Sequence, residues 1–442
     1  MFMVSDAILG GAGKCRARRP AGFRLRLWMP LGGGHPKWIR AASLGHRVGR
    51  CVRWASAAIG LFSGCSAAPG RYLEVCATGT KAPSLQPAGS VVLREDDSVR
   101  LGDPGASFVV AGNGAMYFPD FSSGQLLAFG RNGTYRGVIG RKGGGPGEFV
   151  GIGSFGLAVD SLLFFDDNAG RRLNVYSLRD ERFVGAVRYE GYLAWLTASQ
   201  DDLILGLTAM GSQRTIAIAR RDSALRTMGR GTQGVLMSQF VRTPPEYATF
   251  PLLSEWSDTK VVDDSAGLVV AFGGLSYLVQ QSAGADSQNV IEIPRCGRRG
   301  SPPESLSAWF RRRPTNAQEQ LTIDGHTSRA ISALLGMWRL SDGAVVVWYQ
   351  DPWFENNYSA LKGVAFISVL DKSLRRACLD ARVEAPGLER PRIAMQGDTL
   401  LVLDQLQAEG PDQRVTSVVS RFLIDTSNCT WLATRVTRRP AN

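Results

Sequence analysis

Residues 114–120 read Gly-Ala-Met-Tyr-Phe-Pro-Asp, a turn residue followed by an apolar run that ends in aspartate, and the same spacing recurs at residues 160–166 and 398–404. Three looser copies begin at Asp202, Gly267 and Gly343. Another apolar run precedes each copy, and a third run follows most of them. Short β-branched and aromatic runs bounded by Gly, Asp and Asn indicate strands. The chain therefore predicts six related groups of antiparallel strands.

Consecutive turn residues are 42 to 76 residues apart. A repeat of about 40–50 residues that supplies four strands is typical of a β-propeller blade. Six blades closed into a ring bury both faces of each sheet. We predict an all-β, six-bladed propeller over residues 90–436 with four-stranded antiparallel blades, closed by pairing of residues 90–100 with the last blade. The alternative is a β-sandwich, which predicts no fixed spacing.

A glycine-rich segment, Ile139-Gly-Arg-Lys-Gly-Gly-Gly-Pro-Gly-Glu-Phe149, follows the first copy. It resembles the signature of bacterial six-bladed, NHL-like propeller proteins, whose first inter-blade turn reads G-x-G-P-G-E-F. The resemblance implies the propeller fold and little about function, because this fold hosts many activities. The segment lacks the Gly-Lys-Ser/Thr ending of a phosphate-binding loop. We expect a structural turn in which Glu148 accepts backbone N–H groups, formed by Gly145, Pro146, Gly147, Glu148 and Phe149.

The charge of the chain is concentrated at its start. The 442 residues include 51 Lys and Arg against 39 Asp and Glu, for a net charge of +12. Residues 1–64 hold eleven basic residues and one acidic residue. The remainder is nearly neutral and offers little charge for phosphates, so nucleic acid is not an expected partner. Only three histidines occur, and only His326 follows residue 64, which excludes a multi-histidine zinc site.

Residues 1–64 read as a basic leader and signal segment that is removed. A short apolar run at residues 54–63 has the length of a signal-peptide core and is too short to span a bilayer. The following Leu61-Phe-Ser-Gly-Cys-Ser66 resembles the bacterial lipobox. The resemblance implies acylation of Cys65 and an extracytoplasmic lipoprotein anchored to the membrane, in the periplasm, at the outer membrane or on the cell surface. Residues 65–89 are then a flexible tether. The alternative is a basic tail with a chance Gly-Cys pair.

Four cysteines remain after the predicted anchor. An oxidising compartment permits disulfides between them, and four cysteines allow three pairings. Four isolated thiols are the alternative. The four are Cys76, Cys296, Cys378 and Cys429.

Aspartates end several predicted second strands: Asp120, Asp166 and Asp404, with Asp351 in the fifth copy. In a propeller these strand ends lie near one rim of the central channel. A ring of carboxylates there suits Ca²⁺ or another divalent cation, the arrangement that propeller lactonases use. The alternative, which we favour, is that each aspartate caps its own turn, so that the protein has no cofactor.

The fifth copy carries a segment rich in aromatic and amide side chains that is suited to stacking on a sugar or gripping a peptide. The alternative is that its rings complete a strand and fill a gap between blades. The candidate ligand-binding residues are Trp348, Tyr349, Asp351, Trp353, Asn356 and Tyr358. Two long insertions, residues 229–255 and 295–333, are also expected to lie over one face and contribute to binding.

These features predict a monomeric, lipid-anchored binding module for an envelope protein, a peptide or a glycan. No catalytic residue is assigned. The alternative is a metal-dependent lactonase, hydrolase or lyase that uses the carboxylates of the channel.

Overall fold

The computed structural model describes Cys76, Gly79 and residues 80–440, except 96–99, 103, 105–107, 160, 190–191, 200–201, 209–213, 221–258, 265–266, 283–286, 300–314, 317–318, 320–330, 356–359, 386–390 and 408–414. The leader, Cys65, His326 and most of the two insertions lie outside the described residues. Among the residues described, no helix is long and apolar enough to cross a membrane.

The described residues form six antiparallel sheets. In chain order the strands are β1 (Ser84–Val92), β2 (Val109–Val110), β3 (Met116–Asp120), β4 (Gln125–Phe129), β5 (Tyr135–Ile139), β6 (Ile152–Val159), β7 (Leu162–Asp167), β8 (Arg172–Ser177), β9 (Phe183–Arg188), β10 (Tyr192–Ser199), β11 (Asp202–Thr208), β12 (Arg214–Arg220), β13 (Thr259–Asp264), β14 (Gly267–Phe272), β15 (Tyr277–Ser282), β16 (Ser287–Glu292), β17 (Ala333–Arg339), β18 (Val345–Glu355), β19 (Ala360–Leu370), β20 (Arg376–Val383), β21 (Arg392–Gln396), β22 (Thr399–Gln407), β23 (Val415–Asp425), β24 (Leu432–Ala433) and β25 (Arg435–Pro440).

The six sheets are the blades of a ring. Their first strands are β2, β6, β10, β13, β17 and β21, and these lie at the centre. Neighbouring first strands contact one another from β2 to β17, and β2 also contacts β21. Blades five and six share one hydrophobic cluster, which completes the circle. The architecture is a β-propeller, as the repeat predicts.

The ring is closed by the first strand, β1. Strand β1 pairs with β23 as the outermost strand of blade six, which agrees with the predicted closure. The strand begins at Ser84, however, so the predicted tether of residues 65–89 is too long by six residues. Pro87 obscured this strand in the sequence; proline is tolerated here because β1 is an edge strand with an irregular register after Pro87.

The expected four strands per blade hold for blades one, two and six. Blade three has three strands within the described residues, while blades four and five have five each. Strand β25 adds to blade four and β24 adds to blade five, and the sheet structure runs to Pro440 rather than to residue 436. The end of the chain thus covers two outer edges that would otherwise present unpaired backbone groups.

Two disulfides fasten these outer elements, and they resolve the pairing that the sequence left open. Cys378 of β20 is bonded to Cys429, which precedes β24. Cys76 is bonded to Cys296 in the segment after β16. Thr430 also donates its backbone N–H to the carbonyl of Lys81 at 2.9 Å, so both ends of the described chain meet on the outside of the ring.

The hydrophobic core lies between blades. Phe118 and Phe129 of blade one pack with Leu401 and Leu403 of blade six. Further clusters join blade one to two, two to three and four to five. Blades one, two, five and six are therefore apolar on both faces, which explains why their strands read as continuous apolar runs.

Candidate functional site

A cavity of about 430 Å³ lies at the centre of the ring. Its described lining comes from the first strands of all six blades and is mostly apolar. The residues come from the later part of each strand, as Ala158 of β6, Ala198 of β10 and Met395 of β21 illustrate. We call the side of the ring where the first strands finish the cavity end. A concave cavity lined by aliphatic and aromatic side chains together with a few polar ones is the usual form of a small-ligand site.

Tryptophans form one wall of the cavity. The rings of Trp195 and Trp338 meet edge to face with their centroids 6.2 Å apart, and both line the cavity. Trp338 also stacks on Trp348, which is buried behind it. The Trp195 indole donates to the Val261 carbonyl at 3.1 Å, and the Lys260 ammonium lies 4.4 Å from its ring centroid. These contacts hold the wall in a fixed orientation.

Two opposite charges line the same cavity. Asp263 is the penultimate residue of β13, and Arg339 is the last residue of β17. Strands β13 and β17 are neighbours in the ring, so both charges lie at the cavity end in adjacent blades. An Arg339 Nη1 donates to the carbonyl of Gly343 at 3.3 Å, which ties the guanidinium to the turn between β17 and β18.

The turns at the cavity end are joined from blade to blade. Gln396 in blade six donates to the carbonyl of Ala111 in blade one at 3.0 Å. Asp398 accepts the backbone N–H of Ser341 in blade five at 2.7 Å and also its hydroxyl. The rim of the cavity is thus held across three consecutive blades.

The repeat aspartates lie at the other end of the ring, where the first strands begin. Asp167 is paired with Ile152, the first residue of β6, and Leu403 with Arg392, the first residue of β21. We call this side the carboxylate end. Neither Asp120, Asp166 nor Asp404 is in the described lining of the cavity.

Asp120, Asp166 and Asp404 therefore lie outside the described cavity lining, and metal binding by them stays a prediction. Among the described residues, no three His, Cys, Asp or Glu side chains come together as a metal ion would require. Asp120 instead accepts hydrogen bonds from Ser122 and Ser123 in its own turn. Asp404 accepts the backbone N–H of Gln405 at 2.9 Å. These bonds lie within blade one and blade six.

Asp166 is the most perturbed of the three. Its carboxylate is buried and accepts the Tyr189 hydroxyl. Burial raises the pKa of Asp166 to about 7, while the Tyr189 hydrogen bond opposes this rise and the charge of Asp167 adds to it. A Cβ at Gly153 would lie 2.1 Å from this carboxylate, so the glycine makes the necessary space.

The aromatic segment of blade five does not present Trp348 and Tyr349 to a ligand. Both rings are buried, at 1% and 0% exposure, and Arg298 covers Tyr349 at 3.9 Å from the ring centroid. Asp351 is also buried and accepts the Arg299 backbone N–H at 2.9 Å and the Ser332 hydroxyl. Burial raises the pKa of Asp351. The prediction that these three bind a ligand is wrong, because they pack and hold the blade. Trp353 lies in β18, and Asn356 and Tyr358 lie outside the described residues.

The glycine-rich turn at residues 139–149 is docked onto blade two. Glu148 accepts the Gly145 N–H at 2.8 Å and the Arg141 guanidinium at 2.7 Å, and these bonds hold the pKa of Glu148 below its usual range. Tyr176 donates to the Gly147 carbonyl at 3.2 Å, and Phe149 is buried in the core between blades one and two. Gly147 has φ +71°, a conformation in which Pro146-Gly147 turns the chain without strain.

Comparison with known proteins supports the architecture. Residues 93–208 match the sequence profile of the family DUF5128, which is described as a 6-bladed beta-propeller. The protein is a six-bladed β-propeller. A DUF4221-family protein from Bacteroides vulgatus is similar to the propeller, with a TM-score of 0.53 and 9% identity over 78% of this chain and 99% of the other.

A protein from Bacteroides fragilis that is described as exported has a TM-score of 0.46 and 13% identity, over 78% of this chain and 96% of its own. No curated protein sequence matches the chain. At such identities the likeness to the Bacteroides vulgatus protein concerns the fold alone, so function has to be argued from the cavity.

Sequence reasoning missed the cavity residues. Asp263 and Arg339 are single charges at the ends of predicted first strands, where they read as ordinary turn residues. The signal that identifies them is their position in the repeat, because the last residues of all first strands converge on the channel.

Proposed function

We propose that the protein is an extracytoplasmic binding module that takes a peptide into its central channel. The observation that carries this proposal is the cavity, which receives side chains from all six blades and contains aromatic and aliphatic walls. Its volume falls in the range of about 300–1,000 Å³ that is usual for ligand sites. The aliphatic and aromatic side chains of the described lining suit the apolar side chains of a peptide.

Two disulfides support the location. Cystine pairs form and persist in oxidising compartments outside the cytoplasm, and all four cysteines from Cys76 onward are paired. Acylation of Cys65 belongs to the same proposal. Mass spectrometry of the native amino terminus tests it: a diacylated or triacylated Cys65 is expected, and an unmodified peptide across Gly64–Cys65 would contradict it.

The binding proposal is tested by filling the cavity. Ala198→Phe places a ring in the channel, while Val184→Phe adds the same ring at an exposed position of β9 and serves as a matched control. Each protein is mixed with a library of apolar dipeptides, and bound peptides are identified by native mass spectrometry. Wild type and Val184→Phe are expected to retain the same peptides, with at least tenfold less bound by Ala198→Phe. Equal retention by all three proteins would contradict the proposal.

A further inference from the structure

We propose that the peptide in the channel is bound through its backbone, as a short extended strand added to the inner edge of one first strand. The ligand class is an apolar peptide of three or four residues, the length of the lining runs of β10, β17 and β21. This inference rests on the channel binding proposed above and adds the mode of recognition. The observation behind it is that the edges of six sheets line the cavity.

Each first strand is an edge strand. In their sheets, β2, β6, β10, β13, β17 and β21 each have one hydrogen-bonded neighbour, the second strand of the same blade. In an antiparallel pair, the N–H and C=O groups of alternate residues point away from the partner strand. On a first strand these groups face the channel, because the second strand lies on its outer side. An edge of this kind is a template for pairing with another chain.

The edge of β10 carries backbone groups that do not join it to the other first strands. Leu196, Thr197 and Ala198 line the cavity, and within the described chain none of the three has a backbone hydrogen bond to another first strand. The neighbouring strand β13 shows how such an edge is used. Its Val261 carbonyl accepts the Trp195 indole of blade three at 3.1 Å, so a first-strand carbonyl bonds a donor from outside its own sheet.

Backbone groups form a substantial part of the surface that the cavity exposes. More than half of the apolar residues in the described lining are buried between blades, as Val262 at 4%, Met337 at 1% and Ile393 at 0% exposure illustrate. The exposed surface of the cavity is nevertheless nearly half polar. Because few polar side chains line the cavity, the backbone of the first strands supplies much of this polar surface.

The polar side chains of the lining are mostly engaged within the protein. Asp263 and Arg339 have partners of their own, and the Trp195 indole is bonded to the neighbouring strand. The Thr197 hydroxyl and the Trp338 indole complete the polar side-chain groups of the described lining. The donors and acceptors of a ligand therefore meet mainly backbone carbonyl and N–H groups.

An extended peptide matches an edge of this kind. Along each of its edges the N–H and C=O groups recur at every second residue, about 7 Å apart, as they do along a first strand. Strand addition is a recurring mode of peptide recognition in which main-chain hydrogen bonds supply the affinity. The lining runs Trp195–Ala198 of β10 and Met337–Arg339 of β17 offer an edge of this length. Affinity should then depend on the amides of the peptide more than on which aliphatic side chains it carries.

The test compares trileucine with two ester analogues, in which an oxygen replaces the N–H of the second or of the third residue. Each is titrated calorimetrically into the full-length protein. Neighbouring N–H groups of an extended peptide point to opposite edges. We expect one ester to bind about tenfold more weakly, because it leaves a first-strand carbonyl without its donor, and the other to bind nearly as well as trileucine. Tri-isoleucine keeps both N–H groups and the side-chain volume, and as the matched control it should lose less affinity than the weaker ester.

The outcomes separate this inference from channel binding. Esters that both bind as tightly as trileucine would overturn backbone recognition while channel binding stands. Equal losses from the two esters would overturn addition to one strand edge. Trileucine should bind Val184→Phe and not Ala198→Phe, and its retention by Ala198→Phe would place the peptide outside the channel and overturn the inference. If trileucine does not bind wild type, the inference fails, and the dipeptide library with the same two variants decides channel binding separately.

Discussion

The two ends of the ring use charged residues in opposite ways. At the carboxylate end, Asp120, Asp166 and Asp351 are buried and accept hydrogen bonds from their own turns or from the chain segments that flank their own blades. At the cavity end, Asp263 and Arg339 are only partly buried and line an apolar space. Repetition in the sequence marks residues that hold the blades, whereas Asp263 and Arg339 belong to no repeated position.

The largest effect expected from this comparison is on stability at the carboxylate end. Arg298 is fully buried, pairs with Asp380 at 3.1 Å and covers Tyr349. Arg298→Ala leaves the Asp380 charge buried without its ion-pair partner, so the free energy of unfolding should fall by about 3–5 kcal/mol. Denaturant titration measures this change.

Arg382→Ala in the same blade is the matched control. Arg382 pairs with Glu384, and both side chains are mostly exposed, so a change of at most about 1 kcal/mol is expected. Equal destabilisation by the two variants would show that the buried pair does not hold the carboxylate end.

The next effect is a dependence of the free energy of unfolding on pH. The pKa of Asp166 rises from its ordinary value of 3.8 to about 7 in the folded protein, so the folded state holds this proton more tightly than the unfolded state. The contribution to stability is complete below about pH 4 and is lost as the pH rises to about 7. The loss is about 4 kcal/mol, since one pKa unit corresponds to about 1.4 kcal/mol.

Asp166→Asn isolates this contribution. The amide oxygen still accepts from Tyr189 but does not ionise, so the variant should lack this part of the fall in stability between pH 4 and pH 7. Denaturant titrations of both proteins across this range measure the difference. Parallel pH profiles for wild type and variant would refute the assignment.

The smallest effect is expected at the rim of the cavity. Ser341→Ala removes the hydroxyl bond to the exposed Asp398 across blades five and six, and the backbone bond remains. The free energy of unfolding should change by about 0.5–1.5 kcal/mol. Ser427→Ala, which removes a hydroxyl bond to Asp425 within one exposed turn, is the control; no change in the free energy of unfolding of Ser341→Ala would show that the bond between blades five and six does not stabilise the rim.

The fold was predictable because apolar runs and turn residues repeat. All six first strands and the closure by β1 follow from that pattern, and the turn at residues 139–149 adds a recognisable signature. The outer strands β24 and β25 were not predictable, since polar edge strands such as Arg435–Pro440 lack an apolar pattern. Tyr349 looked like a ligand residue because the sequence does not show that Arg298 covers it.

The candidate site was less predictable for a physical reason. The channel is formed by residues from β2 to β21, and only ring closure brings them together. The sequence predicted a role for Asp166 and its equivalents because aspartate recurs at the same position of the repeat. Asp263 and Arg339 belong to no motif, and only the position at which their strands end shows that they line the cavity.

The most direct test of binding at the cavity end is methyl NMR of protein labelled with [¹³C-methyl]methionine. Met337 and Met395 line the cavity, whereas Met116 is buried in the core between blades six and one. Titration with leucyl-leucine is predicted to shift the Met337 and Met395 methyl signals saturably and to leave that of Met116 in place. Saturable peptide binding without a shift of either cavity methionine would contradict the account.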